Sequence, residues 1–280
     1  MSDINRAAEL YLDLLKQILT RKVVPEKYRP LTGAGRPGKR IYQTLFTILH
    51  AILARKSLEI VRRYETDWAK REQGRDWPPD AETMIGMKRL ENVQACIADV
   101  LRDGIPGDLI EAGTWRGGAA IFMRAALSAF GDTTRTVWVA DSFEGLPKPD
   151  PEKYPCDAGD DLWQREYLAV SLETVQANFE RYGLLDDRVR FLKGWFKDTL
   201  PTAPIAKLAV ARLDGDMYES TIQALGSLYP KLSIGGYLIV DDYGDLPGCK
   251  AAVDDYRAAN GIGEEIQRVD WTGICWRRLQ

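Results

Sequence analysis

One stretch of the chain, residues 208–243, places acidic residues directly after two strands. Leu208–Leu213 is a short apolar segment of the length typical of a strand buried in a parallel sheet, and Tyr237–Val240 is a second one after an intervening helix. The acids that follow the two strands are Asp214, Asp216, Asp241 and Asp242. Because neighbouring parallel strands end at one edge of a sheet, where open α/β folds bind ligands, we expect these four carboxylates to lie together.

Four carboxylates at one edge raise each other's pKa unless a positive charge lies among them. Ligands that are all oxygen favour Mg²⁺, Ca²⁺ or Mn²⁺ over zinc. The alternative is that these acids cap helices and form turns, positions that Asp favours. Since the pattern occurs at two successive strand ends, it favours a cation site.

A glycine-rich turn follows the first predicted strand, Asp108–Glu111, and leads into a helix. Such a turn lets a ligand approach the backbone and the helix N-terminus. The turn lacks the Gly-x-Gly-x-x-Gly pattern and a phosphate-binding lysine, and Glu111 before it would attract an ammonium group. The next strand, Thr136–Ala140, ends at Asp141, where an acid commonly binds a ribose. A ligand with a ribose and a cationic amino-acid end describes S-adenosylmethionine.

A third strand, Val189–Leu192, leads into Gly194 and Trp195, whose ring either stacks on an adenine or belongs to the core. The chain ends with two short segments, 265–269 and 273–276, that resemble a terminal hairpin added to the sheet.

The N-terminal residues predict helices outside this α/β pattern. Residues 7–19 form an amphipathic helix, and residues 23–39 are a linker whose glycines lack the context of a phosphate loop. Residues 40–64 predict a long apolar helix that packs on the catalytic domain or on a second subunit. The polar and aromatic segment 65–80 is either a lid over the site or an ordinary linker.

Composition excludes several classes of protein. The net charge of −3 gives no basic field for nucleic acid. The four cysteines lack zinc or disulfide spacing and His50 is the only histidine, which argues against zinc sites and histidine-dependent triads. The N-terminus lacks a signal peptide and Ile41–Ala54 is too short to cross a bilayer, so we expect a soluble cytoplasmic protein without nucleic-acid or membrane partners.

Six motifs in order resemble the macrocin O-methyltransferase family, whose members methylate sugar hydroxyls of antibiotics with S-adenosylmethionine and Mg²⁺. They are Thr83–Leu90, Ile110–Gly118, Val139–Gly145, Gly194–Asp198, Leu213–Tyr218 and Val240–Tyr243. The resemblance runs from about residue 76 to 278. It implies a Rossmann-like class I methyltransferase sheet with helices on both faces, a C-terminal antiparallel hairpin and an N-terminal helical extension.

The resemblance also implies roles for individual residues. The metal ligands would be Asp214, Asp241 and Asp242, and the general base would be Asp216. The cofactor pocket would contain Met84, Ile85, Glu111, Gly113, Thr114, Trp115, Gly117, Asp141, Ser142, Ser171, Gly194, Trp195 and Asp214.

We therefore expect a Mg²⁺-dependent O-methyltransferase that acts on a glycosylated or polyhydroxylated small molecule in natural-product biosynthesis. We expect a helical lid and oligomerisation region over residues 1–75, a catalytic domain over 76–280, and a homo-oligomer. Metal-dependent methylation of a catechol-type phenol is an alternative. From other classes, a nucleotide-sugar or NAD-dependent oxidoreductase and a non-catalytic binding module remain as hypotheses.

Overall fold

The computed structural model describes residues 3–31 and 40–280. Its strands are β1 (Tyr28–Pro30), β2 (Val61–Arg63), β3 (Asp108–Ala112), β4 (Val137–Asp141), β5 (Val189–Lys193), β6 (Leu208–Leu213), β7 (Leu232–Val240), β8 (Gln267–Arg268) and β9 (Ile274–Arg277). Its α-helices are α1 (Asp3–Leu19), α2 (Arg40–Ala54), α3 (Trp68–Glu72), α4 (Met87–Arg102), α5 (Gly118–Ala129), α6 (Leu172–Arg181), α7 (Phe196–Thr199), α8 (Tyr218–Leu228) and α9 (Pro247–Ala259).

Seven of these strands form one sheet in the order β5-β4-β3-β6-β7-β9-β8. Strands β3 to β7 are parallel, and β9 pairs antiparallel with both β7 and β8, which confirms the predicted fold with its C-terminal hairpin. The chain runs outward from β3 through β4 to β5 and then returns to place β6 on the other side of β3. The turns that follow β3 and β6 therefore leave the sheet in different directions and open a crevice at its carboxyl edge.

Two hydrophobic clusters pack on the two faces of this sheet. Helices α1, α4, α5 and α6 supply one cluster, with fully buried side chains such as Leu12, Leu90 and Phe122. Helices α8 and α9 supply the other cluster, with Leu225 and Val253. The helices on both faces follow the apolar spacing of the sequence, as expected for a parallel sheet that is covered on both sides.

The prediction of one helix over residues 40–64 was wrong beyond residue 54. Helix α2 ends at Ala54, a turn with Ser57 at a φ of 55° follows, and β2 then pairs antiparallel with β1. The backbone groups of residues 61–63 are thus paired across strands, which a continuous helix would not allow. The glycine-rich part of the predicted linker, residues 32–38, lies outside the described residues.

Buried ion pairs attach the N-terminal segment to the residues before α4. Arg71, which is 3% exposed, donates to Glu26 at 3.2 Å and to Asp76 at 2.8 Å. Leu12 and Leu19 of α1 belong to the same buried cluster as α4 and α5. The domain boundary near residue 75 stays a prediction, as does the role of residues 65–80 as a lid. Within the described ranges no helix combines the length and apolar character that crossing a membrane requires.

Candidate active site

A cavity of about 410 Å³ opens at the carboxyl edge of the sheet, at the crevice that the topology predicts. Residues from both ends of the chain line it, from Gly74 and Trp77 to Trp271 and Thr272. The predicted site residues in its lining are Met84, Ile85, Glu111, Gly113, Thr114, Trp115, Asp141, Ser142, Trp195, Asp214, Asp216, Asp241 and Asp242. The two strand-end acid pairs and the glycine turn therefore share one cavity.

Three carboxylates converge in this cavity. One oxygen from each of Asp214, Asp216 and Asp242 lies within 4.8 Å of the others. The sheet hydrogen bonding continues into these strand ends, because the amide of Asp214 donates to Ala112 and that of Asp241 donates to Leu213. The parallel register of β6 and β7 thus brings the cluster together.

Asp216 has an unusual backbone conformation in this cluster. Its φ is 57°, in the left-handed region that few residues other than glycine adopt. Its amide donates to Asp242 at 3.3 Å, and the amide of Met217 closes a tight turn on Gly215 at 2.6 Å. Such strained conformations cluster at functional sites, where the surrounding structure maintains them.

Burial and mutual repulsion shift the ionisation of these acids. Burial, and then the charge of Asp214, raise the pKa of Asp216 well above its usual value. Burial, and then the charges of Asp214 and Asp216, do the same to the pKa of Asp242. A bound cation would reverse this effect by stabilising the ionised carboxylates.

Asp241 lines the same cavity but is not among the three converging carboxylates, and it pairs with two arginines. Its Oδ1 accepts from Arg212 at 2.6 Å and its Oδ2 accepts from Arg89. Burial opposes ionisation, but the guanidinium groups of Arg212 and Arg89 outweigh it and lower the pKa of Asp241. The prediction that Asp241 binds the metal stays a prediction, and each of its oxygens retains a second lone pair beside the arginine that it accepts from.

Arg212 of β6 connects the ends of three strands. It is 1% exposed, and it donates to Glu111 at 2.5 Å, Asp214 at 2.9 Å and Asp241 at 2.6 Å. A buried guanidinium is stable only when such partners neutralise it and satisfy its donors. Arg212 therefore links the glycine turn after β3 to the acidic cluster.

Both carboxylate oxygens of Glu111 accept hydrogen bonds from other groups of the protein. Its Oε2 accepts from Thr114 and from the amide of Ala120, both at 2.9 Å, while its Oε1 accepts from Arg212. Burial raises the pKa of Glu111 to about 7 in spite of the nearby Arg212. Its role in binding the cofactor stays a prediction, and the structure gives it a second role in shaping the glycine turn.

Asp141 and the glycine turn form another part of the cavity lining. Asp141 accepts from the amides of Thr114 at 2.7 Å and Phe143 at 2.8 Å, and burial raises its pKa. Gly113 has a φ of 89°, and a Cβ there would lie 1.8 Å from the carbonyl oxygen of Asp214. Only glycine fits where these two turns approach each other.

Three predicted cofactor residues do not line the cavity, namely Gly117, Ser171 and Gly194. Gly117 precedes α5 with a φ of 87°, and the side chain of Ser171 caps α6 by accepting from Thr174. The amide of Gly194 donates to the carbonyl of Asp141 at 2.9 Å. In the structure these residues position the lining, and their contact with a cofactor stays a prediction.

The segment between β4 and α6 folds over the site and is held at two points. The indole of Trp115 donates to the carbonyl of Tyr167 at 2.8 Å. Asp157, which is 3% exposed, accepts from the amides of Tyr218 at 2.7 Å and Glu219 at 2.9 Å. It therefore caps α8, which begins shortly after the acidic turn of residues 214–216. The segment is therefore attached both to the glycine turn and to the start of α8.

Sequence reasoning missed Arg89 and Arg212, the cap from Asp157 and the position of Trp271 in the cavity lining. The sequence did contain a signal for Arg212, since it is a charged residue inside an otherwise apolar strand. It contained no local signal for Arg89 and Asp157, because their partners lie more than fifty residues away in the chain.

Comparisons with known proteins identify relatives along nearly the whole chain. Residues 8–278 match the sequence profile of the family described as macrocin-O-methyltransferase (TylF). The chain is 51% identical over 272 residues to 8-demethyl-8-(2,3-dimethoxy-alpha-L-rhamnosyl)-tetracenomycin-C 4'-O-methyltransferase of Streptomyces olivaceus, covering 97% of this chain and 93% of that protein. It is 56% identical over 211 residues to mycinamicin III 3''-O-methyltransferase of Micromonospora griseorubida, covering 74% of this chain and 83% of the relative.

A solved structure shares the fold over its full length. The O-methyltransferase NovP superimposes with a TM-score of 0.82 at 47% sequence identity, covering 98% of this chain and 100% of that one.

Proposed function

Because the chain belongs to the macrocin O-methyltransferase family, we propose that it transfers a methyl group from S-adenosylmethionine to a sugar hydroxyl of a natural product, with Mg²⁺ at the acidic cluster. The convergence of three carboxylates beside a glycine turn in one cavity carries this proposal. The Streptomyces relative is named for a rhamnosyl-bearing acceptor, which supports a sugar over a catechol-type phenol. Family membership makes the chain an O-methyltransferase, so the oxidoreductase and the binding module are no longer alternatives.

The cavity fits the proposed cofactor. Its volume of about 410 Å³ lies within the range of small-molecule sites. Gly113, which lines the cavity, allows the turns after β3 and β6 to approach each other closely. Asp141, Glu111 with Gly113, and Trp195 also line the cavity and are the proposed contacts for the ribose, the methionine part and the adenine, respectively.

The acidic cluster fits a hard divalent cation. Its donors are carboxylate oxygens, and their mutual repulsion is the condition that a cation relieves. Asp214, Asp241 and Asp242, at the ends of neighbouring strands, are the proposed ligands. Arg212 donates to both Asp214 and Asp241 and so holds two of the three in position.

Asp216 is the proposed general base. When bound, S-adenosylmethionine supplies an electrophilic methyl group, and a divalent cation lowers the pKa of a hydroxyl that it contacts. Asp216 belongs to the cluster of carboxylates, so a cation bound there would favour its ionised form, which can accept the proton that the acceptor hydroxyl releases. Holding the hydroxyl and the methyl group in line can contribute about 7–11 kcal/mol to lowering the barrier.

The test is methylation of the rhamnosylated tetracenomycin acceptor of the Streptomyces relative, followed by mass spectrometry with isotopically labelled S-adenosylmethionine. We expect a labelled methyl ether on the sugar, loss of turnover in excess EDTA and recovery with excess Mg²⁺. The variants Asp214→Asn and Asp242→Asn should abolish turnover and retain most cofactor affinity. Full turnover in EDTA would exclude the metal, and a methyl group on a phenol of the aglycone would exclude the sugar specificity.

We also propose that the chain self-associates through α2. Leu45, Ile48, Leu49 and Ile52 recur along this helix at helical spacing and are 47–59% exposed. A contiguous apolar face of this kind marks an interaction surface. An N-terminal lid and oligomerisation region over residues 1–75 and a catalytic domain over residues 76–280 complete the proposal.

A further inference from the structure

Four of the eight tryptophans of the chain line the cavity. Trp115 and Trp195 follow β3 and β5, on the side proposed for the cofactor. Trp77 and Trp271 come from opposite ends of the sequence, and neither the cofactor nor the acidic cluster accounts for them. Large aromatic rings exposed at a cavity wall are typical of ligand contacts.

Trp271 is fixed beside the acidic cluster. Its neighbour Asp270 accepts from Arg89, which also binds Asp241. The amide of Gly244, two residues after the cluster acid Asp242, donates to the carbonyl of Thr272 at 2.8 Å. A Cβ on Gly244 would lie 2.4 Å from the carbonyl oxygen of Trp271, so the two turns are in direct contact.

The indole of Trp271 offers only carbon surface to the cavity. Its Nε1 already donates to the carbonyl of Gln73 at 2.8 Å, and the guanidinium of Arg75 lies 4.6 Å from the ring centroid. A ligand that reaches both this ring and the carboxylates needs hydroxyl groups next to a face of C–H bonds. A pyranose ring, particularly that of a deoxy sugar, combines the two.

Trp77 lies on the same N-terminal segment that holds Trp271 through Gln73. Arg71 and Arg29 anchor the preceding residue, Asp76, whereas the side chain of Trp77 is itself 52% exposed. The backbone is therefore fixed while the ring remains accessible at the wall of the cavity. This arrangement suits the larger apolar group to which an acceptor sugar is attached.

We infer that Trp271 and Trp77 form the acceptor subsite, in which Trp271 packs on the carbon face of the sugar and Trp77 packs on the aglycone that carries it. This inference rests on the proposed function, since it assumes a glycosylated acceptor. It makes the two ends of the chain jointly responsible for selecting the acceptor.

The experiment compares two acceptors with four variants. The acceptors are the rhamnosylated tetracenomycin named for the Streptomyces relative and methyl 2,3-di-O-methyl-α-L-rhamnoside, which lacks the aglycone. The variants are Trp77→Ala, Trp271→Ala, Trp271→Phe and, as a matched control, Trp68→Ala, which removes a tryptophan that is 47% exposed and does not line the cavity. The readouts are KM and kcat for each acceptor, and the Kd of S-adenosylhomocysteine by calorimetry.

We expect Trp77→Ala to raise KM about tenfold for the tetracenomycin acceptor only, and Trp271→Ala to raise it about tenfold for both acceptors. Trp271→Phe retains an aromatic face but loses the bond to Gln73, so it should stay within about threefold of the wild type if stacking is the role of the ring. In all variants kcat and the Kd of S-adenosylhomocysteine should change less than about threefold, and Trp68→Ala should match the wild type.

Unchanged KM values in both alanine variants would overturn the inference, and so would a loss of S-adenosylhomocysteine affinity that parallels the rise in KM. If Trp271→Ala does not fold, Trp77→Ala alone tests the inference, through the difference between the changes in KM for the two acceptors. A wild-type enzyme that methylates neither acceptor would overturn the proposed sugar specificity and the subsite together, and this outcome is visible before any variant is made.

Discussion

Two adjacent residues, Asp241 and Asp242, ionise in opposite ways. Arginines on both sides of Asp241 outweigh its burial and lower its pKa, whereas burial and neighbouring carboxylates raise the pKa of Asp242. Because successive residues at a strand end face different surroundings, one acid serves the buried ion network and the other serves the cavity. The sequence predicts that acidic residues lie together at the carboxyl edge of the sheet, but it does not reveal which of them pairs with the arginines.

The variants Asp241→Asn and Asp242→Asn should therefore affect stability differently in the presence of EDTA. Removing the charge of Asp241 leaves Arg212 and Arg89 undercompensated and should destabilise the fold by about 3–5 kcal/mol. Removing the charge of Asp242 relieves repulsion and should raise Tm. Urea unfolding and thermal melts measure both effects, and equal losses of stability would contradict this assignment.

The pH dependence of the metal-free protein provides a second check on the same cluster. Asp216 and Asp242 have raised pKa values in the folded chain, so their contribution to stability is complete below the unfolded Asp pKa of about 3.9. That contribution is lost as pH rises through the folded pKa values. Thermal melts in EDTA at increasing pH should show a steeper fall in Tm for the wild type than for Asp242→Asn. Excess Mg²⁺ should remove this difference.

Asp216→Asn tests the proposed base at the residue scale. An amide cannot accept the hydroxyl proton, so we expect kcat to fall about 10²–10⁴-fold while the Kd of S-adenosylhomocysteine changes little. The matched control is Asp245→Asn, which alters a carboxylate that lines the cavity outside the cluster of three. Comparable losses in both variants would assign the effect to the charge of the cavity as a whole.

At the scale of elements, α8 begins directly after the acidic turn and depends on a cap from a distant segment. Helix starts prefer a side-chain acceptor for their free amides, and here Asp157 provides it from the segment that follows β4. The same carboxylate therefore fixes both the helix and the covering segment. Apolar spacing predicts the helix, but a cap from another part of the chain leaves no local pattern.

Asp157→Ala should expose this dependence. We expect a loss of about 0.5–2 kcal/mol in the free energy of unfolding, together with faster amide hydrogen exchange at residues 215–219 and 143–170. Asp67→Ala is the matched control, because Asp67 caps the short helix α3, which lies outside the two segments whose exchange is measured. If faster exchange in Asp157→Ala is confined to the start of α8, the covering segment does not depend on the hydrogen bonds of Asp157.

The elements that sequence reasoning predicted best are those of the sheet. The strand over Leu208–Leu213 has the predicted bounds, since an uninterrupted apolar segment between polar turns defines a buried strand. The prediction failed at Ala54, where α2 ends within an apolar pattern, because the pairing of β2 with β1 is a contact between distant residues. Within the site, local spacing revealed the acids and glycines, whereas the paired arginines depend on tertiary contacts.

At the scale of the whole molecule, the apolar face of α2 predicts how chains associate. The double variant Ile48→Glu/Ile52→Glu places charges on this face and should convert an oligomer to a monomer in sedimentation velocity at micromolar concentration. Leu279→Glu is the matched control, since Leu279 is an exposed apolar residue at the other end of the chain, 67% accessible. A wild-type chain that sediments as a monomer would contradict the proposed self-association.

The contact between Gly113 and the carbonyl of Asp214 leaves no room for even a methyl group. The turn proposed to bind the methyl donor and the turn that carries the acidic cluster are therefore in direct contact, so a displacement of one turn would displace the other. The indole of Trp271 instead contacts the segment of Trp77 through one side-chain hydrogen bond, to the carbonyl of Gln73. New acceptor preferences should accordingly arise by substitution of the side chains at positions 77 and 271, while the backbone contact at Gly113 is retained.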